Sequence, residues 1–244
     1  MKSILVIGET CKDIFVYCNA IRLAPDLPVP VLEVERTTEN PGMAMNVQRN
    51  IHKIFEKCDL VTNHDWQQVT KTRYIHSSTN HMFIRIDTPH VIPRIDLKNI
   101  NLDYSMIVIS DYDKGFLSKE DISEISKSHP LVLLDTKKPL ASWAENCKYI
   151  KINDYEFERS KPFLNENLEQ RIIHTKGGEG AFFRDEHFQV TEAEVRDASG
   201  AGDAFMAALA VKFLETLDIR EGIKYANVCA SRVVGEKGVT TLTK

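Results

Sequence analysis

Five short stretches of the chain are apolar almost without interruption. They are residues 3–8 (Ser-Ile-Leu-Val-Ile-Gly), 106–110, 131–135, 149–152 and 171–175. Strands apolar on both faces belong in a sheet that helices cover on both sides. The intervening segments carry helix signals: Ser118-Lys119-Glu120-Asp121 is an amino-terminal capping pattern, with Ile122 and Ile125 following at helical spacing. The alternation predicts an α/β fold, a doubly wound, mostly parallel sheet with helices on both faces. Polar residues collect where the predicted strands end, at Ser110-Asp111, Asp135, Asn153 and Thr175. Ligands of open α/β sheets bind beyond the carboxyl ends of strands, so a site is expected there.

A second texture occupies the first third of the chain. Residues 15–17, 29–34, 73–75 and 82–87 mix β-branched, aromatic and polar side chains in a more alternating way, separated by Pro and Asn. This predicts a small, half-exposed antiparallel β lid inserted into the layered fold, its strands contributed by about 13–36 and 71–87. The whole of 1–244 then reads as a single domain. An exposed lid edge also predicts a homodimer through the lid sheet.

Composition narrows the function classes. With 31 Lys and Arg against 35 Asp and Glu, the net charge is −4, which argues against a nucleic-acid partner. No apolar run is long enough to span a bilayer and the amino terminus has no signal-peptide pattern, so a cytoplasmic location is expected. Five scattered cysteines without a CxxC pair read as reduced structural thiols, and the eight histidines show no zinc-binding spacing. Neither GxxxxGK[ST] nor GxGxxG after the first strand is present, which sets aside the P-loop and Rossmann readings.

The segment most suggestive of chemistry is Arg196-Asp197-Ala198-Ser199-Gly200-Ala201-Gly202-Asp203-Ala204-Phe205, which leads into an Ala-rich apolar helix over 204–214. A helix start leaves backbone N–H groups unpaired, and glycine lets them converge on one anion-binding spot. Asp203 supplies a carboxylate beside it. Together they form the apparatus for moving a phosphoryl group onto an alcohol. The competing interpretation is an ordinary tight turn with Asp203 merely favourable against the helix dipole.

Taken in order, four stretches resemble the PfkB carbohydrate-kinase family, which has the ribokinase-like fold. They are Asn40-Pro41-Gly42-Met43-Ala44-Met45-Asn46, Asn153-Asp154-Tyr155-Glu156, Thr175-Lys176-Gly177-Gly178-Glu179-Gly180, and the run from Asp197 through Asp203. The resemblance implies an ATP-dependent enzyme that uses Mg2+ and phosphorylates a sugar or sugar phosphate. It implies that Asp203 is the base, that Gly200, Ala201 and Gly202 line the hole for the transferred group, and that Ser199 borders the nucleotide. Asn153 and Glu156 would organise magnesium, Glu156 through water. Thr175, Lys176, Gly177 and Gly180 would face ATP, and Asn227 and Gly238 would border the adenine. Asp13, Gly42 and Asn46 would hold the acceptor. Alternatives stand beside these roles: Asn153-Asp154 as a turn and helix cap, the 175–180 loop as a plain hairpin, Asn227 as a solvent-facing helix residue, and Asp13 or Asn46 as caps.

Residues 24–31, Lys71-Thr72-Arg73 with Arg85-Ile86-Asp87, and Ser110-Asp111-Tyr112-Asp113-Lys114-Gly115 look like the heptose-7-phosphate kinase branch of that family. That branch phosphorylates C1 of the sugar, and Arg73, Arg85 and Lys114 are the candidates to grip its phosphate, unless they are exposed lid charges. With nothing after Lys244, the kinase module alone is expected, without the nucleotidyltransferase of the bifunctional form. Two departures matter: Met43 stands where the family usually has a second glycine, and only residues 58–70 separate the first long helix from the lid, where relatives place a further strand-helix unit. A nucleoside or other small-alcohol kinase, or a non-catalytic sugar- or nucleotide-binding relative, are the alternative readings.

Overall fold

The computed structural model describes residues 2–190, 199–235 and 241–242. Gly238, and Asp197 of the motif that ends at Asp203, lie outside them. The chain begins with β1 (Ile4–Gly8), β2 (Thr10–Leu23) and β3 (Pro30–Met43), then helix α1 (Ala44–Ile54), β4 (Cys58–Val61), β5 (Thr70–His76) and β6 (Met82–Asp87). There follow β7 (Met106–Asp111), α2 (Lys119–Ser128), β8 (Val132–Thr136), β9 (Tyr149–Asn153), α3 (Asp154–Ser160), the short α4 (Glu166–Glu169) and β10 (Ile172–Thr175). A terminal hairpin, β11 (Ala181–Phe183) and β12 (Glu186–Phe188), precedes α5 (Ala201–Thr216) and α6 (Ile219–Val234).

Among the described residues the main sheet has eight strands, in the order β12-β11-β10-β9-β8-β7-β1-β4. The six from β10 to β4 are parallel, and β11 and β12 add antiparallel at one edge. Every apolar run read as a strand is one. Their continuous hydrophobicity has a simple cause, since each face of the sheet carries its own core. Ile4, Val6, Val108 and Leu133 pack beneath α1, α5 and α6. Leu5, Ile7, Ile109 and Leu134 point the other way, into the core shared with Ile122 and Ile125 of α2. Helix α5 is buried nearly all round, packed against both α1 and α6, as expected of a helix without a polar face. The capping pattern at Ser118 is realised: its side chain accepts the Asp121 N–H while the Asp121 carboxylate accepts the Ser118 N–H.

The lid is a separate four-stranded sheet, order β3-β2-β5-β6. Two antiparallel pairs, β2 with β3 and β5 with β6, are joined by a parallel β2–β5 pairing. Phe15, Tyr17 and Ile75 give it a small core of its own, whereas Ile21, Leu23, Ile84 and Ile86 are exposed. The expected shortening is visible: β4 is the only regular element between α1 and β5, and it closes the edge of the main sheet beside β1. All five cysteines are buried and unpaired. Among the described residues no helix is long and apolar enough to cross a membrane.

Candidate active site

Asp203 lies in the first turn of α5, only 7% exposed, between the two sheets. Gly200 enters the helix at φ 83°, in the left-handed region that costs glycine nothing. Helix geometry leaves the N–H groups of Ala201, Gly202 and Asp203 without intrahelical carbonyls. Each oxygen of Asp203 has a donor. Asn46 Nδ2, from the first turn of α1, reaches Oδ2 at 2.8 Å, and the Tyr112 hydroxyl reaches Oδ1 at 2.7 Å. Burial lifts this carboxyl above the ordinary carboxylate range, and the two hydrogen bonds oppose the lift.

Beneath the amino end of α5, three adjacent strands present a polar row. Ser110, Asp135 and Lys151 are register neighbours across β7, β8 and β9, on the face that carries Val108 and Leu133 toward α5. Lys151 Nζ meets Asp135 Oδ2 at 2.8 Å, with both side chains nearly excluded from solvent. A Cβ added to Gly202 would lie 3.2 Å from that ammonium, so glycine keeps a cation close to the free helix amides. Charge and donors there favour an anion. Among the described residues, the other oxygen of Asp135 and the Ser110 hydroxyl are buried without hydrogen-bond partners.

At the end of β9, Asn153 and Glu156 cap α3 reciprocally. Asn153 Oδ1 accepts the Glu156 N–H at 3.0 Å, and the Glu156 carboxylate accepts the Asn153 N–H at 2.9 Å. The cap interpretation of this motif is therefore realised, and the same Glu156 also pairs with Lys137. Burial would pull the Lys137 ammonium down, but Asp135 and Glu156 outweigh it and hold the group above its ordinary range. For Mg2+, a hard cation that takes oxygen ligands and keeps several waters, the donors fit: the unpartnered Asp135 oxygen and the Glu156 carboxylate are both acidic and buried.

Thr175 to Gly180 is the β10–β11 hairpin connection, closed by Lys176 N–H to the Gly180 carbonyl at 2.7 Å. Lys176 Nζ lies 3.8 Å from Asp154, and Gly177 and Gly178 border open space. Asn227 does not face solvent, as one alternative had it. It is 4% exposed, and its amide donates to the Phe188 carbonyl at 2.7 Å, tying α6 to β12.

The acceptor-side residues are drawn together in part. Asp13, on β2, pairs with Arg73 of β5 at 2.5 Å. A Cβ on Gly42 would fall 2.1 Å from Asp13 Oδ2, so the close approach that Gly42 permits is that of the Asp13 carboxylate. Asn46 is directed at Asp203 rather than held as an isolated cap. The three proposed phosphate grips do not form one cluster: Arg73 serves Asp13, and Arg85 makes a two-pronged bond to Asp87 on the lid surface. Lys114 lines a cavity of about 430 Å3 with Lys71, Asp87 and His90.

Lys71 went unassigned in the sequence, although its spacing of two from Arg73 puts both on one face of a strand. Lys137, Lys151 and Tyr112 were missed as well. Asp135 was marked only as a polar strand end.

Met43 has φ 62° and ψ −133° while 2% exposed. That backbone suits glycine, which explains why relatives would keep one there, and it costs a side-chain-bearing residue about 1–3 kcal/mol. Met43→Gly is therefore expected to be more stable than Met43→Ala by about 1 kcal/mol or more, measured by urea unfolding. The usual order, alanine above glycine, would show that the strain is not there.

A layered sheet with a buried carboxylate at a helix amino terminus and a separate β lid is the ribokinase-like architecture. The solved ribokinase of Thermotoga maritima superposes with a TM-score of 0.77 at 18% identity, covering 98% of this chain and 95% of that one. A nucleoside kinase of Methanocaldococcus jannaschii, an archaeal member of the ribokinase family, gives 0.74 at 17% identity, covering 100% and 95%. At such identities the likeness concerns the fold. The pfkB family of carbohydrate kinases matches residues 120–244, and this chain belongs to it. Among curated relatives, the Bifunctional protein HldE of Helicobacter pylori strain J99 is 30% identical over 295 aligned residues, covering 98% of this chain and 64% of the relative. That of Hydrogenovibrio crunogenus is 27% identical over 295, covering 99% and 61%. The chain thus spans under two thirds of those relatives' length. The aligned stretch also exceeds the chain's 244 residues, so the relatives carry segments absent here.

Proposed function

We propose that this chain transfers the γ-phosphoryl group of ATP to a hydroxyl of a sugar phosphate, with heptose 7-phosphate, at C1, as the acceptor. One observation carries the reading: a buried carboxylate, Asp203, stands beside helix amides and the Lys151 ammonium. Asp203 takes the proton of the acceptor hydroxyl as its oxygen bonds to the γ-phosphorus. The bond from that phosphorus to the β–γ bridging oxygen breaks, and ADP departs with the bond's electrons. The amides of Ala201 to Asp203 and Lys151 stabilise the charge on the equatorial oxygens of the transferred group. Glu156 and Asp135 would hold Mg2+, whose bound form supplies charge neutralisation on the phosphates. Ser199, the 175–180 loop, Asn227 and Gly238 keep the nucleotide-side roles given them by the resemblance.

Asp13, with Gly42 and Asn46, holds the acceptor hydroxyls, and its pairing with Arg73 orients it. Lys114, in the loop after β7, and Lys71 of the lid line one cavity and, with Arg73 and Arg85 of the lid, supply the positive charge that a phosphorylated acceptor needs. The exposed apolar lid residues suit a second copy of the chain, and a homodimer through the lid follows from them. The resemblance to the heptose-7-phosphate branch and the similarity to HldE proteins support the choice of acceptor.

The test is ADP release from ATP over heptose 7-phosphate, fructose phosphates, ribose and nucleosides. Heptose 7-phosphate is expected to give the highest kcat/KM. Release with no acceptor on the panel, alongside measurable ATP binding, would overturn the reading in favour of a binding protein. Asp13→Asn is expected to raise KM for the acceptor by roughly 10–100-fold while KM for ATP stays within about twofold. An equal rise in both would remove Asp13 from acceptor recognition.

A further inference from the structure

Tyr112 follows β7 in a loop fixed from several sides. Glu9, fully buried between β1 and β2, accepts the backbone N–H of Tyr112 at 2.8 Å and that of Lys114 at 2.9 Å. Two ammonium groups lie against the ring: Lys71 of the lid at 4.9 Å from its centroid, and Lys137, beyond β8, at 5.4 Å. Its hydroxyl donates to Asp203 Oδ1, across 91 residues of sequence. Main chain, ring and hydroxyl are therefore each held by a different part of the fold, as a preorganised site requires.

A carboxylate offers about four lone-pair positions. Asn46 takes one on Oδ2 and Tyr112 one on Oδ1, which stops the group turning about its Cβ–Cγ bond and leaves the remaining lone pairs for another donor. We propose that Tyr112 is the positioning residue for the base of the phosphoryl transfer: its hydroxyl fixes the Asp203 carboxylate and keeps it in the proton-accepting form. The inference rests on the phosphotransferase reading for its kinetic consequence, but not for the hydrogen bond itself.

The charged surroundings of Asp203 set the sign of the test. Burial lifts its carboxyl, the donors Asn46 and Tyr112 lower it, Asp135 lifts it and Lys151 lowers it. Lys137 and the Cys11 thiol also face it. The Tyr112 phenol is itself pushed well above its ordinary range by burial and by Asp203, so it remains a donor at every working pH. Removing that donor leaves the other groups in place, and Asp203 must then hold its proton to higher pH.

The experiment is a pH titration of the Asp203 carboxyl carbon by NMR on the whole chain, assigned with Asp203→Asn and compared between wild type and Tyr112→Phe. The midpoint is expected to rise by about one pH unit in Tyr112→Phe. The acid limb of kcat should move up with it while KM for ATP is unchanged. An identical midpoint, or activity lowered equally at every pH, would overturn the proposal. Should the Tyr112→Phe chain not fold, 3-fluorotyrosine placed at position 112 keeps the shape with a more acidic phenol. It should move the midpoint down, and no movement overturns the idea. Absence of ADP release by wild type with every acceptor would defeat the phosphotransferase reading alone, because the titration decides on Tyr112 without turnover.

Discussion

Asp203→Asn is expected to lower kcat by roughly 10²–10⁴-fold, the usual worth of a positioned base, while the protein folds normally. The structure says why folding should survive. The asparagine carbonyl can still accept from Asn46 Nδ2, and the Tyr112 hydroxyl can rotate to accept from the new amide. Stability should carry a distinct pH signature. The Asp203 carboxyl is raised in the folded state by burial, so the folded chain holds that proton more tightly than the unfolded one. Its contribution to stability falls as pH rises from the unfolded carboxyl's titration through the folded one. The asparagine variant lacks this loss and should be at least as stable as wild type at pH 8, with less advantage at pH 4. Turnover close to wild type would remove Asp203 from the chemistry, and urea unfolding at the two pH values checks the rest.

Lys151→Met should be the most damaging single change to stability. It strips the partner from Asp135, which is 4% exposed and already has one oxygen without a donor among the described residues. Removing one member of a buried ion pair costs about 3–5 kcal/mol, because the remaining charge is stranded. Activity should fall too, since the same ammonium lies beside Gly202 at the proposed phosphoryl hole. The two effects separate in the double variant Lys151→Met/Asp135→Leu. Replacing both charges is expected to restore most of the stability measured by urea unfolding, without restoring kcat. Recovery of turnover in the double variant would remove both Lys151 from the phosphoryl hole and Asp135 from the proposed Mg2+ site.

The layered sheet was legible because its strands are apolar on both faces, a pattern few other architectures demand. Strand β4 was not: Cys58–Val61 is short, only partly buried and carries an exposed Asp59, so nothing local sets it apart from a loop. In the site, Asp203 was readable because its helix start and glycines are contiguous. The Asn153-x-x-Glu156 spacing was readable too, and the structure makes a capping box of it. Tyr112 and Asn46 could not be joined to Asp203 from sequence, since 91 and 157 residues separate them from it. The role of Arg73 shifted for a similar reason. Its charge suggested a phosphate grip, but the parallel pairing of β2 with β5 places it beside Asp13, and strand direction is not written in any local pattern.

The border made by β4 bears on how a kinase of this fold can be shortened without leaving a long open edge. Cutting a sheet back normally uncovers a long row of backbone donors and acceptors, an invitation to neighbouring chains. Here the new margin is four residues long and carries the outward charge of Asp59, tied down by the Tyr104 hydroxyl at 2.8 Å. A short, charged margin of this kind offers little for a neighbouring strand to pair with, so loss of a unit from this flank leaves no long open edge.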